Sequence, residues 1–330
     1  MTRIGYQIPN FTYPNVGPDG LFEAVAAQAE AADRSGFDTV LVMDHFYQLP
    51  MLGDPDDYML ECYTLLGALA GRTEHVRLSS LVTGNTYRNP ALLATIIATL
   101  DVVSGGRAQL GIGAGWFEEE HTSLGFEFGT FTDRFERLEE ALQIIGPMLA
   151  GDRPTLDGER YSVKEAICEP PPVSRVPILI GGSGEKKTLR MVAQYADESN
   201  LTCGPEEVPR KLEALDAHCA RLERDRSEIT VSLQTQVCIA LGHDEAEQAM
   251  RDFLQRRGMD LDAMDDETRS MILAMVIVGD PDEVGEQLQA RLDTGVDGLT
   301  MNLVANGHHP ENVELLGQVA SRVIGSPPAS

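Results

Sequence analysis

Positive charge is what this sequence has least of. In 330 residues, 26 Lys and Arg stand against 52 Asp and Glu, giving a formal charge of −26 and a pI near 4.5. A field of that sign repels phosphate backbones and anionic lipid, so neither nucleic acid nor a membrane surface is an expected partner. No apolar run of about 18 residues is present, which argues against a transmembrane helix. The opening MTRIGYQIPN reads as a strand and lacks the apolar core of a signal peptide. The five cysteines (Cys62, Cys168, Cys203, Cys219 and Cys238) are dispersed and never spaced CxxC, unlike a disulfide framework or a zinc site. The seven histidines include no HExxH, and the adjacent His308 and His309 lie between Gly307 and Pro310 in an apparent loop. No metal site is expected. The composition predicts a soluble, cytoplasmic protein acting on a small molecule.

What is present is a repeating alternation. Strand-like segments fall at 3–10, 39–45, 76–84, 108–115, 177–182, 198–202, 231–241 and 298–304, with helical stretches between them. Their V, I and L runs are nearly continuous, as parallel strands covered on both faces require. Eight such strands predict a (β/α)8 TIM barrel spanning 1–330 as a single domain, with a doubly wound open sheet as the alternative. Two connections exceed a simple crossover. Residues 150–177 are rich in turn formers and predict an insertion with a short hairpin, and 243–280 read as a helical, acidic insertion.

In a parallel barrel the functional groups gather at the carboxyl ends of the strands. Those ends hold Asp44 and His45, then Thr83, Gly84 and Asn85, then the GIGAG run ending at Ala114 and Gly115 before Trp116. The later ends hold Gly181, Gly182, Ser183 and Gly184, then Asn200 and Thr202. Histidine changes charge near neutral pH and suits proton transfer, whereas a lone strand-end histidine is more often structural. Gly181–Gly184 leave a buried strand just before a helix bearing Lys186, Lys187 and Arg190. Glycines there admit close backbone approach, and exposed amides at a helix start favour a phosphate. GIGAG lacks the third glycine of a dinucleotide fingerprint. Trp116, the single tryptophan, is placed to stack on a planar ligand or to cover the barrel mouth.

With these positions in view, the chain resembles the luciferase-like oxidoreductase superfamily, and in particular its deazaflavin-dependent branch. The matching pieces are GFDTVLVMDHFYQLP (36–50), LSSLVTGNTYRNPALLATIIATLDVVSGGRAQLGIGAGWFEEEH (78–121), PILIGGSGEKKTLRMVAQYAD (177–197) and VGDPDEVGEQLQARLDTGVDGLTMNL (278–303). The resemblance implies a TIM barrel that binds coenzyme F420, with FMN as the alternative, and commonly forms a homodimer. It implies that Asp44 contacts the deazaflavin ring and that His45 transfers the proton; Glu119 and His121 are the next candidates for that proton, because the loop after 108–115 brings them towards the same rim. It also implies a non-prolyl cis peptide within Ser80, Leu81 and Val82, with Ser80–Leu81 the bond singled out. Thr83, Ala114, Gly115 and Glu119 match coenzyme-contacting positions, and Gly181, Gly182, Ser183 and Gly184 match the phosphate turn. One departure stands out. The sugar-phosphate dehydrogenases of the family carry a catalytic glutamate where this chain has Trp116, with Glu118, Glu119 and Glu120 following, so glucose-6-phosphate oxidation is not implied. The expected reaction is hydride exchange between F420 and an unidentified organic substrate. An FMN-dependent monooxygenase and a coenzyme-binding subunit without turnover are the two alternatives.

Overall fold

A computed structural model describes residues 3–261, 263–265, 267, 272 and 275–325. Strands β1 (Arg3–Ile8), β2 (Thr39–Val42), β3 (Arg77–Ser80), β5 (Ala108–Gly113), β8 (Ile178–Gly181), β9 (Glu198–Leu201), β10 (Thr230–Ile239) and β12 (Gly298–Leu303) pair in parallel in that order. Pairing of β12 with β1 closes the ring, with Gly298 opposite Arg3 and Asn302 opposite Gln7. The result is the eight-stranded barrel. The outward-facing positions Ile4, Tyr6, Ile8, Val40, Val42, Leu78, Leu110, Ile112 and Ile180 are buried in the core shared with the surrounding helices. That burial supplies the main stabilisation, at about 25 cal/mol for each Å² of apolar surface removed from water.

The crossover helices are α1 (Pro18–Arg34), α2 (Cys62–Ala70), α3 (Pro90–Ser104), α4 (Glu118–Leu124), α5 (Phe131–Leu149), α6 (Thr188–Tyr195), α7 (Val208–Arg221), α8 (His243–Gln255), α9 (Pro281–Leu292) and α10 (Pro310–Val323). Their starts are legible locally. Asn89 accepts from the Ala91 and Leu92 amides ahead of α3, and Thr130 with Asp133 forms a capping box on α5.

Three differences from the sequence reading have physical causes. The strand expected over 76–84 is broken: β3 stops at Ser80, and β4 (Thr83–Gly84) resumes the pairing opposite Ile112 and Gly113 of β5. The interruption holds a non-prolyl cis peptide at Leu81–Val82, inside the expected window but one bond beyond Ser80–Leu81. Glycines make room for it: a Cβ on Gly111 would lie 1.8 Å from the Ser80 carbonyl oxygen, and on Gly113 2.9 Å from a Val82 methyl. Second, 243–280 is not helical throughout. The run VIVG forms β11 (Val276–Gly279), which pairs with Gln236–Ile239 of β10, beyond the point where β9 ends. An apolar run this short carries no period of its own. Residues 262, 266, 268–271, 273 and 274 of that segment lie outside the described residues. Third, the strand expected over 39–45 stops at Val42, so Asp44 and His45 sit in the loop beyond it. The expected hairpin within 150–177 is present as β6 (Leu156–Asp157) against β7 (Ser162–Val163). It is tied down by Glu140, whose carboxylate accepts from the Glu159, Arg160 and Tyr161 amides.

Candidate active site

A cavity of about 370 Å³ opens at the carboxyl ends of the strands. Of the residues singled out in the sequence, Asp44, His45, Leu81, Val82, Thr83, Gly115, Trp116, Gly181 and Gly182 line it. Ser80, Ala114, Glu119, Ser183 and Gly184 do not.

His45 is held by one nitrogen. Its Nδ1 lies 2.9 Å from Oε2 of Glu120, so the carboxylate fixes the Nδ1–H tautomer and leaves Nε2 without a hydrogen-bond partner among the described residues. Glu120 comes from the first turn of α4 and its side chain is fully buried. Its Oε1 also accepts from the amides of Phe46 (2.5 Å) and Tyr47 (2.9 Å), and its Oε2 from the Tyr87 hydroxyl (2.6 Å). Burial pushes this carboxyl up, but the donors from His45, Tyr87 and the Tyr47 amide outweigh it and hold the group below the ordinary glutamate range. The acidic residue that reaches His45 is therefore Glu120, whereas Glu119, expected to contact the coenzyme, is exposed to solvent. Three glutamates in a row give no sign of which one the helix turns inward.

Asp44 is already engaged. Arg88 binds it through two hydrogen bonds, 2.6 Å to Oδ2 and 3.1 Å to Oδ1, and reaches Glu61 at 2.6 Å. Burial pushes the Asp44 carboxyl up, and Arg88 offsets part of that rise. Burial also opposes charge on Arg88, but Asp44 and Glu61 hold the guanidinium above its ordinary value, so it stays charged. His121 is fully buried with both nitrogens occupied, 2.7 Å from the Phe117 carbonyl through Nδ1 and 2.7 Å from the Thr86 hydroxyl through Nε2. A carbonyl only accepts, so Nδ1 carries the proton there and Nε2 is the acceptor. His121 anchors α4 and has no nitrogen left for a ligand.

The glycine turn after β8 is close-packed against the broken strand. A Cβ on Gly181 would lie 2.8 Å from a Val82 methyl, and Gly182 sits at φ +115°, where a side chain is strained. Ser183 Oγ accepts from the Thr202 amide at 2.7 Å and so braces the end of β9. Of the expected basic groups, Arg190 pairs with Glu139 at 2.7 Å, and Lys187 lies 5.2 Å from the Phe131 ring and 5.3 Å from that of Phe135. Lys186 is exposed. Trp116 is 58% exposed at the rim, stacked on Phe117 and edge-on to His45 at 5.9 Å.

The sequence reading missed the floor of the cavity. Gln7, Gln234, Gln236 and Asn302 line it beside Asn200. The available signal was a set of carboxamides within otherwise apolar strands, as in GYQI, LQTQV and TMNLV.

With this geometry in hand, comparison gives the class. The luciferase-like monooxygenase family matches residues 2–298, and the chain belongs to it. The F420-dependent glucose-6-phosphate dehydrogenase of Microbacterium testaceum is 35% identical over 248 residues, covering 74% of this chain and 70% of the relative. Among solved structures, the coenzyme F420-dependent tetrahydromethanopterin reductase of Methanopyrus kandleri superposes with a TM-score of 0.76 at 19% identity, covering 97% of this chain and 99% of that one. An F420-dependent secondary alcohol dehydrogenase superposes with a TM-score of 0.79 at 19% identity, covering 98% and 99%. These two likenesses establish the shared fold.

Proposed function

We propose that this F420-dependent oxidoreductase exchanges a hydride with a small organic substrate in the cavity, and that His45 handles the accompanying proton. The observation that carries the reading is the free Nε2 of His45 on the cavity wall, with Nδ1 fixed by a buried carboxylate. The relatives named as F420-dependent dehydrogenases support the coenzyme. The residues fit such a group. Glycines at 181 and 182 keep the end of β8 clear of side chains, and the Leu81–Val82 segment forms a wall pressed against Gly113 and Gly181. F420, when bound, supplies a carbon that accepts or gives a hydride. The chain's own groups do the rest. His45 Nε2 takes or returns the substrate proton, Glu120 keeps that nitrogen as the proton acceptor, and Trp116 covers the rim and limits water. Gly181–Gly184 and Lys186 are assigned to the coenzyme phosphate, and Asp44, held by Arg88, to its ring.

The test is titration of the purified protein with F420 and with FMN at equal ionic strength. F420 is expected to bind more tightly, and Gly182→Ala to weaken it at least about tenfold by adding a Cβ at a positive φ. Tenfold tighter binding of FMN would overturn the coenzyme assignment.

We also propose that the protein forms a homodimer through α2 and α3. Their only charged residue is the buried Asp101, and Leu92 and Val103 are more than half exposed on a chain of charge −26. A face without charge is where two copies can meet without repulsion. Val103→Glu is expected to shift the species seen by light scattering from dimer to monomer; a monomeric native protein would refute the assignment. We place the protein in the cytoplasm, where its five free cysteines stay reduced. Among the described residues, no helix is long and apolar enough to cross a membrane.

A further inference from the structure

The cavity has two unlike walls. One is apolar: Met43, Leu49, Met51 and Leu52 face it from the loop after β2, with Trp116 at the rim. The other is built from carboxamides. Gln7 Oε1 accepts from Gln234 Nε2 at 2.6 Å and from Asn302 Nδ2 at 2.9 Å, which fixes the orientation of all three amides. Asn200 donates through Nδ2 to Ser232 at 3.0 Å. The amide nitrogens of Gln234, Asn302 and Asn200 are thus engaged inside the protein. The carbonyl oxygens of Asn200, Gln234 and Asn302 are left buried with no hydrogen-bond partner, although the Asn200 and Asn302 residues are 0% and 4% exposed. Three unsatisfied acceptors behind one cavity wall are a deficit that a ligand bearing hydroxyl groups relieves. Gln236, two residues along β10 on the same face as Gln234, has no side-chain hydrogen bond among the described residues and lines the same wall.

Charge at the site points the same way. Among the described residues, the ionisable groups lining the cavity are Asp44, His45 and Tyr87, and Asp44 is neutralised by Arg88. No Lys or Arg lines it among those residues. A dianionic phosphate entering here meets no counter-charge to replace its hydration, which is costly in a partly closed cavity.

We infer that the substrate is an uncharged hydroxylated molecule with an apolar ring or chain, its hydroxyls bonded by the Gln7, Gln234, Gln236, Asn302 and Asn200 amides, and that phosphorylated sugars are excluded. The inference rests on the F420-dependent reading of the same site. In the oxidative direction His45 Nε2 would take the hydroxyl proton, and F420, when bound, would supply the carbon that accepts the hydride from the carbinol carbon. The alcohol becomes a ketone and the coenzyme is reduced, so electrons and protons balance. The apolar wall holds the hydrocarbon body, and the carboxamide floor sets which hydroxyl faces His45.

The experiment uses the coenzyme-loaded protein with two probes, cyclohexane-1,2-diol and glucose 6-phosphate. Calorimetry reads binding, and fluorescence of the single tryptophan reports occupancy at the rim. The diol is expected to bind at least tenfold more tightly than the sugar phosphate. Gln236→Leu, which breaks no hydrogen bond of the protein, should weaken the diol by roughly tenfold, the effect of one neutral hydrogen bond, with coenzyme affinity unchanged. Asn302→Leu should do the same, and its folding is checked by thermal melting. Tighter binding of glucose 6-phosphate, or diol affinity indifferent to Gln236→Leu in the folded variant, overturns the inference. Failure of F420 to bind in a separate titration would instead sink the coenzyme reading, so the two failures are distinguishable.

Discussion

His45→Ala is expected to lower steady-state turnover by about 10²- to 10⁴-fold, the usual contribution of a positioned acid–base group, while coenzyme affinity changes far less. β2 ends at Val42, so Asp44 and His45 both leave the pleat, and the strand rule that sends neighbours to opposite faces no longer applies. His45 then turns its ring to the cavity, with Nδ1 on Glu120 and Nε2 free. A ring held at one nitrogen keeps the other in a fixed place, which is what proton transfer needs and what a mere cap does not. The competing assignments predict other outcomes. If His45 only binds the coenzyme, affinity should collapse while turnover per bound coenzyme survives. If it only caps the strand, both should be retained. His121 no longer competes for the role, because Phe117 and Thr86 occupy both of its nitrogens. Binding titrations together with turnover at saturating coenzyme separate these cases.

Much of this site can be read in the sequence because its parts are local. The apolar run closing on Asp44 and His45, the glycine-rich end of β5 and the glycine turn after β8 each announce a strand end within a few residues. What could not be read depends on how distant segments pack. The carboxamide floor joins Gln7 to Asn302 across the seam that closes the barrel, a contact between residues 295 positions apart. β11 exists because β10 runs two residues past its β12 pairing and six past its β9 pairing, a length mismatch that no local pattern encodes. The Ser183 hydroxyl looked free for a phosphate, but the Thr202 amide already uses its oxygen. Ser183→Ala would therefore disturb the end of β9 as well as any ligand contact.

Glu120 is the sharpest instance, and its substitution should have the second large effect. In Glu120→Ala the amides of Phe46 and Tyr47, the Tyr87 hydroxyl and His45 Nδ1 all lose their acceptor together. Unpaired buried donors cost about 1–3 kcal/mol each and are not additive, so a loss of about 3 kcal/mol or more is expected in chemical denaturation. Glu120→Gln separates chemistry from stability. Its amide oxygen can still take the two backbone amides, but its NH₂ now faces His45 Nδ1 and the Tyr87 hydroxyl. The imidazole must then accept at Nδ1 and carry its proton on Nε2, the wrong tautomer to act as a base. Turnover in the oxidative direction should fall by about 10²- to 10⁴-fold, as inverted tautomers do in hydrolase triads, with a small change in stability. The pH dependence supplies an independent check. Because the native carboxyl lies below the ordinary glutamate value, its contribution to stability is complete above the unfolded pKa of about 4.3 and is lost as pH falls through the lowered native pKa. The stability advantage of the native protein over Glu120→Gln should therefore shrink on acidification below about pH 4.3. A glutamine variant with native turnover, or an advantage that grows towards low pH, would remove Glu120 from its place behind His45.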